Sequence, residues 1–305
     1  MRARRPAKVL ALVLSAAVAG CGGDGSGAER PAGKAPCAPW RATSSVPDLF
    51  RSGTARVCKL SVDEAARQYV VFEPRGLGSA PVPVVIALHG VGAGASSQST
   101  AEASRLDRLA GRERFVAVYG EGVDAGWEPA RDAAYFAGVL DNLARRRTVD
   151  PDRVYAVAWS AGGYMAHQLA CRLSGRVAAI AALHAPLRGQ CRPERPVSVL
   201  QIVGTADSVI PAAGGTNTLG EDSPPVSRAT ARWRRTDGCG AVERSSSGPL
   251  LREVATGCED GTAVELLRIR GAGHTWFGGQ GTSPPDDALD ATAEAWRFFA
   301  THPRR

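Results

Sequence analysis

The stretch VYAVAWSAGGYMAHQLAC, residues 154–171, combines the two patterns that decide the fold. Its first six residues are apolar, which is typical of a strand buried in a parallel sheet, and the residues after the glycines have helical spacing. Ser160 lies at the junction, flanked by the small residues Ala158, Ala161 and Gly162. Such a junction predicts a strand that turns sharply into a helix, because the two elements nearly touch at the turn.

The serine in this turn has two interpretations. A nucleophilic serine is presented in the pattern G-x-S-x-G, where a strained turn lifts the hydroxyl out of the end of the sheet. Here Gly162 matches the later glycine, and Ala158 replaces the earlier one with a residue that adds a methyl group. The alternative is a serine that ends a strand and caps the following helix, which is a common role. The local sequence leaves both interpretations open.

Strands and helices alternate along the rest of the chain. This predicts an α/β fold with a mostly parallel central sheet and helices on both faces. The clearest strand is VPVVIAL, Val82–Leu88, whose unbroken apolar run predicts burial on both faces of the sheet. Further strands are predicted over residues 68–72, 114–119, 154–159, 177–183, 197–203 and 264–270, and helices over residues 132–147, 163–173, 226–235 and 290–301.

Three side chains with catalytic chemistry follow predicted strands. Ligands bind at the carboxyl ends of the strands in such sheets, and Ser160, Asp207 and His274 each lie just after one. Taken singly, Asp207 could be a turn residue and His274 a structural loop residue. Their order along the chain, serine then aspartate then histidine, is that of the α/β-hydrolase fold and differs from other serine hydrolase folds. Together they predict a nucleophile, an orienting acid and a general base.

The loop LHGVGAG, residues 88–94, follows the central strand and is rich in glycine. Acyl transfer builds negative charge on a carbonyl oxygen, and two backbone N–H groups can stabilise that charge. We expect these to be the amides of Ala161 and Val91. A phosphate-binding loop is the alternative, but no G-K-[ST] follows the glycines.

Four more side chains are candidates to line the same site. Trp127, Trp159 and Trp276 are candidate walls of an acyl or aromatic pocket, although core packing is the alternative, above all for Trp159. His184 follows the strand ending at residue 183 and could face the site. No set of histidines and carboxylates has metal-ligand spacing, so neither a metal nor another cofactor is predicted.

The charge of the chain does not favour binding to nucleic acid. Of the formal charge of +7, four positive charges lie in the first twenty residues, and removing them leaves +3. The remaining arginines are scattered and lack the clustering of a nucleic-acid-binding face. We therefore expect no nucleic-acid partner. The predicted acyl-transfer chemistry leads us to expect a small-molecule or oligomeric ester as the partner, and we expect the protein to be a monomer.

The N-terminus has the features of an export signal. A cationic start precedes the apolar run VLALVLSAAVAG, which is too short to span a membrane, and residues 1–20 are therefore predicted to be a signal peptide. The sequence VAGC resembles a bacterial lipobox, which would make Cys21 a lipidated N-terminus; the alternative is cleavage after the A-x-A at residues 17–19 and free secretion. Residues 21–36 are rich in glycine and proline and predict a flexible tether, which leaves residues 37–305 as the catalytic domain. The membrane is then a partner only through the lipid, and the protein is extracytoplasmic.

Six cysteines remain when Cys21 is set aside, and an even number in an exported chain implies disulfides. Six cysteines allow 15 connectivities. Pairing of sequence neighbours would join Cys37–Cys58, Cys171–Cys191 and Cys239–Cys258. Each bond would close a loop of about 20 residues and stabilise the fold by roughly 3 kcal/mol.

The motifs resemble the esterase family of poly(3-hydroxybutyrate) depolymerases, which also contains feruloyl and acetylxylan esterases. The similarity covers residues 68–297 and is carried by LHG at 88–90, WSAGG at 159–163, GTAD at 204–207, VIP at 209–211 and GAGHTW at 271–276. It implies a serine carboxylic ester hydrolase with the triad Ser160, Asp207 and His274. It also implies an oxyanion hole shared by Ala161 and the loop at residues 90–91.

Two positions depart from the family pattern. Ala158 stands where the family has glycine, and Phe277 stands where it has proline. The second change is expected to alter a pocket wall and therefore the ester that is accepted. Polymer depolymerases often carry an added binding domain, for which this chain leaves no residues, so a solid polymer is not the expected substrate. Two alternatives remain: a surface lipoprotein that binds a partner through an inactive hydrolase scaffold, and a peptidase of the same fold.

Overall fold

The computed structural model describes residues 36–41, 48–279 and 281–305, which lie within one compact unit, Lys34–Arg305. The predicted signal peptide, Cys21 and nearly all of the predicted tether lie outside the described residues. In the described part of the chain, no helix has both the length and the apolar character needed to cross a bilayer.

Thirteen strands are present in the described residues. In chain order they are β1 (Cys37–Pro39), β2 (Gly53–Val62), β3 (Ala65–Pro74), β4 (Val82–Leu88), β5 (Val116–Gly120), β6 (Val149–Trp159), β7 (Ala179–Leu183), β8 (Ser198–Gly204), β9 (Gly215–Thr216), β10 (Asp222–Ser223), β11 (Val242–Ser247), β12 (Leu250–Ala255) and β13 (Val264–Ile269). Strands β9 and β10 form a separate antiparallel pair, and the other eleven form one sheet in the order β1-β2-β3-β5-β4-β6-β7-β8-β13-β12-β11.

Six α-helices connect or flank these strands in the same residues. They are α1 (Ser97–Ser104), α2 (Leu106–Glu113), α3 (Pro129–Ala144), α4 (Ala161–Arg172), α5 (Val226–Thr236) and α6 (Ala291–Thr301). The predicted helix over residues 132–147 begins earlier, at Pro129, because the Glu128 side chain accepts hydrogen bonds from the amides of Ala130 and Arg131.

The middle of the sheet is parallel, as predicted, and its margins are antiparallel. Strands β5, β4, β6, β7, β8 and β13 run in parallel register, and this block carries the site. On one side β3, β2 and β1 add antiparallel strands, and on the other β12 and β11 do so. The short α1 and α2 and the hairpin β11–β12 were not predicted from the sequence. In β11 five of six residues are exposed, so no apolar pattern indicated a strand.

The core is divided by the sheet into two layers. Every residue of β4 is buried, with Val84 and Ile86 on one face and Val85 and Ala87 on the other. Side chains of α3, α4 and α5 pack on the first face, and those of α2 and α6 pack on the second. The double burial predicted from VPVVIAL is therefore confirmed, and the elements around it are fixed on both sides.

Three disulfides link the cysteines that were predicted to pair. They join Cys37 to Cys58, Cys171 to Cys191 and Cys239 to Cys258. The first ties the short edge strand β1 to β2, at positions that are also partners in the ladder. The second joins Cys171, in the last turn of α4, to the loop after β7, and the third joins the loop after α5 to the loop after β12.

Candidate active site

Ser160 forms the turn between β6 and α4 in a strained backbone conformation. Its φ is 57° and its ψ is −129°, a left-handed region that residues with a side chain rarely adopt. Its side chain makes no capping hydrogen bond to α4, so the interpretation as a helix cap is wrong. The backbone is held in place by the bond from its amide to Leu183 O at 3.1 Å. The turn therefore leaves the hydroxyl free for another partner.

Glycines at this turn allow the loop after β4 to approach the serine. A Cβ at position 162 would lie 2.4 Å from the carbonyl oxygen of His89, which no side chain could tolerate. A Cβ at Gly90 would lie 3.2 Å from Cβ of Ser160. The pattern of small residues in the sequence therefore reflects a real contact between the two loops.

Ser160, His274 and Asp207 lie in a hydrogen-bonded line. Nε2 of His274 is 2.9 Å from Oγ of Ser160, and its Nδ1 is 2.8 Å from Oδ2 of Asp207. The serine follows β6, the aspartate follows β8 and the histidine follows β13. These parallel strands lie in the order β6-β7-β8-β13 in the sheet. This arrangement can move a proton from the hydroxyl to the imidazole while the carboxylate stabilises the charged ring.

Asp207 is held as a carboxylate by its surroundings. Its other oxygen, Oδ1, accepts hydrogen bonds from the amides of Val209 and Ile210, both at 2.8 Å. Burial acts to raise its pKa, but the two histidines beside it and the backbone amide of Ile210 together hold that pKa well below its usual range. Asp207 therefore serves its own turn with one oxygen and presents the other to His274.

His184 also lies against this line. It is fully buried at the end of β7, with Nε2 at 2.8 Å from the carbonyl oxygen of Thr275 and Nδ1 at 2.8 Å from Oδ2 of Asp207. Its ring centre is 4.3 Å from that of His274. The sequence placed His184 after a strand but could not show that it contacts both neighbours.

The same cluster is the group of described residues that comes nearest to metal-ligand geometry. The ligand atoms of His184, Asp207 and His274 lie within 4.8 Å of one another. The atoms that face each other between Asp207 and His274 are already joined by a hydrogen bond. The geometry therefore fits proton transfer as it stands.

The cavity over Ser160 brings several predicted residues together. It has a volume of about 150 Å³ and is lined by Val91, Trp159, Ser160, Ala161, Tyr164, Val209, Ile210, Asn217, Thr218, Leu219 and His274. Val91 and Ala161, the predicted donors to an oxyanion, therefore both border the space above the serine. First-turn amides such as that of Ala161 have no partner within the helix and can serve a ligand.

Known proteins with similar sequences are named as esterases. No protein-family model matches the chain. NocK of Nocardia uniformis subsp. tsuyamanensis, which carries a provisional esterase name, is 29% identical over 270 residues, 78% of this chain and 75% of that protein. Feruloyl esterase B of Piromyces equi is 25% identical over 229 residues, 68% of this chain but only 42% of the relative. This chain is therefore similar in sequence to proteins named as esterases.

Comparison with solved structures shows the fold of this chain. Acetyl xylan esterase from Aspergillus awamori superposes with a TM-score of 0.55 at 12% identity, covering 78% of this chain and 98% of that one. At this identity the likeness concerns the fold alone. The chain therefore has the α/β-hydrolase fold that the order of its strand-end residues predicted.

In this chain, a wider groove continues from the cavity over Ser160. It has a volume of about 400 Å³ and shares four lining residues with the cavity, namely Val91, Ala161, Tyr164 and Leu219. Trp127 and Met165 add apolar surface, while Arg188 and Glu221 form an ion pair at 2.8 Å. Tyr164 was missed in the sequence, although its position four residues after Ser160 places it on the same face of α4.

The three tryptophans have different positions. Trp127 lines the groove and donates its indole N–H to the carbonyl oxygen of His89 at 2.9 Å. Trp159 lines the cavity, with its ring centre 5.5 Å from that of His274. Trp276 is buried in the core, with its indole N–H bonded to Thr292 Oγ1 at 2.9 Å, so its predicted contact with substrate is wrong.

Phe277 also lies away from the cavity, although it was expected to alter a pocket wall. It is fully buried, and its ring centre is 5.0 Å from that of His184. Both errors share a cause, because the loop after His274 turns inward to the core rather than along the site.

Proposed function

We propose that this chain hydrolyses carboxylic esters through a Ser160–His274–Asp207 triad and a covalent acyl-enzyme. The observation that carries the proposal is the hydrogen-bonded line of these three side chains, with the serine in a strained turn at the carboxyl edge of a parallel sheet. The esterase names of the relatives support the same chemistry.

The first half of the reaction forms the acyl-enzyme. Nε2 of His274 takes the proton of the Ser160 hydroxyl as Oγ attacks the ester carbonyl carbon. The carbonyl oxygen gains negative charge and accepts hydrogen bonds from the amides of Ala161 and Val91. Asp207 stabilises the imidazolium through the hydrogen bond from Nδ1–H. His274 then gives its proton to the leaving alcohol, and the C–O bond breaks.

The second half releases the acid. A water molecule loses a proton to Nε2 of His274 and attacks the acyl carbon, again with the oxyanion on the two amides. Collapse of this intermediate breaks the bond to Oγ, and His274 returns the proton to Ser160. Both halves use the same groups, and no cofactor enters either step.

We propose esters with an aromatic or a short acyl group as substrates. The cavity beside Ser160 is small, at about 150 Å³, and accommodates a short acyl group. The adjoining groove is lined by the aromatic side chains of Trp127 and Tyr164, and an aromatic substrate ring can pack against aromatic side chains. Two of the relatives carry the names feruloyl esterase and acetylxylan esterase, and these names denote an aromatic and a short acyl group. Oligomers of hydroxybutyrate are the third class to test.

We also propose that the protein works outside the cytoplasm. Three disulfides support this, because such bonds persist in oxidising compartments. An anchor at a lipidated Cys21 would hold the enzyme at a membrane surface, whereas cleavage after residue 19 without lipidation would release the enzyme.

The experiment compares purified protein on matched esters. Methyl ferulate, p-nitrophenyl acetate and butyrate, acetylated xylo-oligosaccharides and a hydroxybutyrate trimer are offered together with p-nitroacetanilide as an amide. We expect ester turnover that Ser160→Ala lowers by more than about 10³-fold, while the exposed-serine control Ser227→Ala retains it. Activity should fall below about pH 6, where histidines are protonated and cannot act as bases.

Three outcomes would contradict the proposal. Ester activity that survives in Ser160→Ala would remove the serine from the chemistry. A preference for the amide would favour a peptidase of the same fold. A folded protein without activity on any of these esters would favour a binding module on an inactive scaffold.

A further inference from the structure

We propose that His184 is a positioning residue that holds the His274 loop against Asp207 by donating a hydrogen bond from Nε2 to the carbonyl oxygen of Thr275. This role rests on the proposed function and extends it, because His184 contacts His274 but does not itself line the cavity over Ser160. Thr275 follows His274 directly in the chain. A bond to its carbonyl therefore acts on the backbone that carries the base.

The contact with Thr275 fixes which nitrogen of the His184 ring carries the proton. Nε2 lies 2.8 Å from the carbonyl oxygen of Thr275, which can only accept, so a hydrogen bond there requires the proton on Nε2. The ring is fully buried, and burial lowers its pKa although Asp207 acts to raise it. A neutral ring carries one N–H, which leaves Nδ1 without a proton at neutral pH.

The Nδ1 edge of the His184 ring faces Asp207. Nδ1 lies 2.8 Å from Oδ2 but is not aligned as a hydrogen bond, and it has no hydrogen-bond partner among the described residues. This edge therefore makes no aligned hydrogen bond to Asp207. Of the described side chains, His274 is the one that donates a hydrogen bond to Oδ2. His184 thus packs against the Asp207 carboxylate and leaves Oδ2 to the hydrogen bond from His274.

His184 itself is held firmly by its backbone and by ring packing. Its backbone is in the left-handed region, with φ of 70°, and its amide donates to Ile202 O at 2.8 Å. Its ring packs between the rings of His274 and Phe277, at centre distances of 4.3 and 5.0 Å. A ring fixed on the sheet in this way can fix a loop that contacts it.

Two substitutions separate this role from a purely structural one. The amide nitrogen of glutamine extends about as far as Nε2 and can still reach Thr275 O, whereas that of asparagine corresponds to Nδ1 and cannot. The backbone favours the opposite choice, because asparagine adopts positive φ more readily than glutamine. If His184 acts by positioning the loop, His184→Gln should lower kcat less than His184→Asn does. If only the backbone conformation matters, His184→Asn should lower kcat less than His184→Gln does.

We expect His184→Asn to lower kcat for a p-nitrophenyl ester by about tenfold or more with KM little changed, since a small misplacement of a catalytic group is costly. The acid limb of kcat/KM should also move to lower pH, because a His274 ring held less closely to Asp207 is stabilised less in its charged form. His184→Gln should retain most of kcat and the wild-type profile. As a matched control, His167→Gln alters a buried histidine bonded to Gln201 and Trp233, and should lower Tm while leaving the profile in place.

A measurement on the unmutated protein completes the test. Nitrogen-15 NMR of the histidine rings, of which the chain has five, should show a neutral His184 with its proton on Nε2. A proton on Nδ1 would overturn the proposal even if neither variant folds. Equal losses in both variants, or wild-type kinetics in His184→Asn, would also overturn it. Absence of ester activity in the wild type would instead contradict the proposed function.

Discussion

Ser160 owes its position to the residues that make room for it. The left-handed φ of this residue turns the chain from β6 into α4, and the hydroxyl meets His274 instead of capping the helix. Gly162 and Gly90 let the loop after β4 lie against the turn. Backbone strain at one residue is thus supported by contacts from two others, as is common where geometry serves chemistry.

The two small positions around Ser160 differ in what they tolerate. Ala158 is buried within β6 between β4 and β7, and its methyl group fits there. We expect Ala158→Gly to keep ester activity and to lose about 1 kcal/mol of stability, as glycine does in a strand. Gly162→Ala should instead fail to fold or lose activity, because its Cβ would lie 2.4 Å from His89 O and 2.7 Å from Leu88 O. Thermal unfolding and p-nitrophenyl acetate turnover of both variants would check this, and an active, stable Gly162→Ala would contradict the assigned contact.

Helix α4 connects the nucleophile to the wall of the groove. Ser160 precedes its first residue, Tyr164 and Met165 face the groove, and Cys171 near its end is bonded to Cys191. The segment between β7 and Cys191 supplies Arg188 to the same groove. The disulfide therefore closes a loop that includes part of the substrate-binding wall.

Removal of this disulfide should weaken the fold and loosen the groove. For the double variant Cys171→Ser, Cys191→Ser we expect a loss of about 2–4 kcal/mol, in line with closure of a loop of about 20 residues. KM should rise more than kcat falls, since the altered segment lines the groove and not the triad. Urea unfolding and steady-state kinetics would measure the two effects. The double variant Cys37→Ser, Cys58→Ser, at the distant edge of the sheet, is the control and should leave KM in place.

Among the described residues, Asp237 is a buried acid whose ionisation opposes folding at neutral pH. Asp237 ends α5 with no exposed surface, and its carboxyl oxygens have no well-aligned hydrogen bond among the described residues. Burial raises the pKa of Asp237 to about 7, and the charge of Glu259 adds to the rise. The native state then holds a proton that the unfolded chain releases above about pH 4.

The sign of the resulting pH dependence follows from linkage. Because the unfolded state binds fewer protons than the native state between about pH 4 and 7, this group lowers stability as the pH rises through that range. Asp237→Asn should therefore gain stability over wild type by an amount that grows across this range and is constant above it, on the order of a few kcal/mol. Urea unfolding at a series of pH values would show this. An Asp237→Asn curve parallel to wild type, like that expected of exposed Asp63→Asn, would contradict a buried, protonated Asp237.

The predictable parts of the fold are those with strong local patterns. VPVVIAL is apolar at every position, and burial on both faces follows from that alone. The hairpin β11–β12 lacks such a pattern, since β11 is exposed and is held by pairing with β12 rather than by burial. Disulfide pairs between sequence neighbours were predictable because each closes one short connection.

The predictable parts of the site are those tied to strand ends. Ser160, Asp207 and His274 each follow a parallel strand, so their meeting at one edge of the sheet could be expected. The contact of His184 with Thr275 could not, because it depends on how two loops 91 residues apart turn toward each other. Trp276 was misplaced for the same reason, since nothing local indicates which way a loop side chain points.

The most direct test of the central claim is covalent labelling of Ser160. A fluorophosphonate probe reacts with a serine hydroxyl only where a base and an oxyanion site activate it. We expect one probe per folded molecule by intact mass, on the peptide that contains Ser160, and none on Ser160→Ala. An unlabelled wild-type protein, or equal labelling of the Ser160→Ala variant, would contradict the central claim.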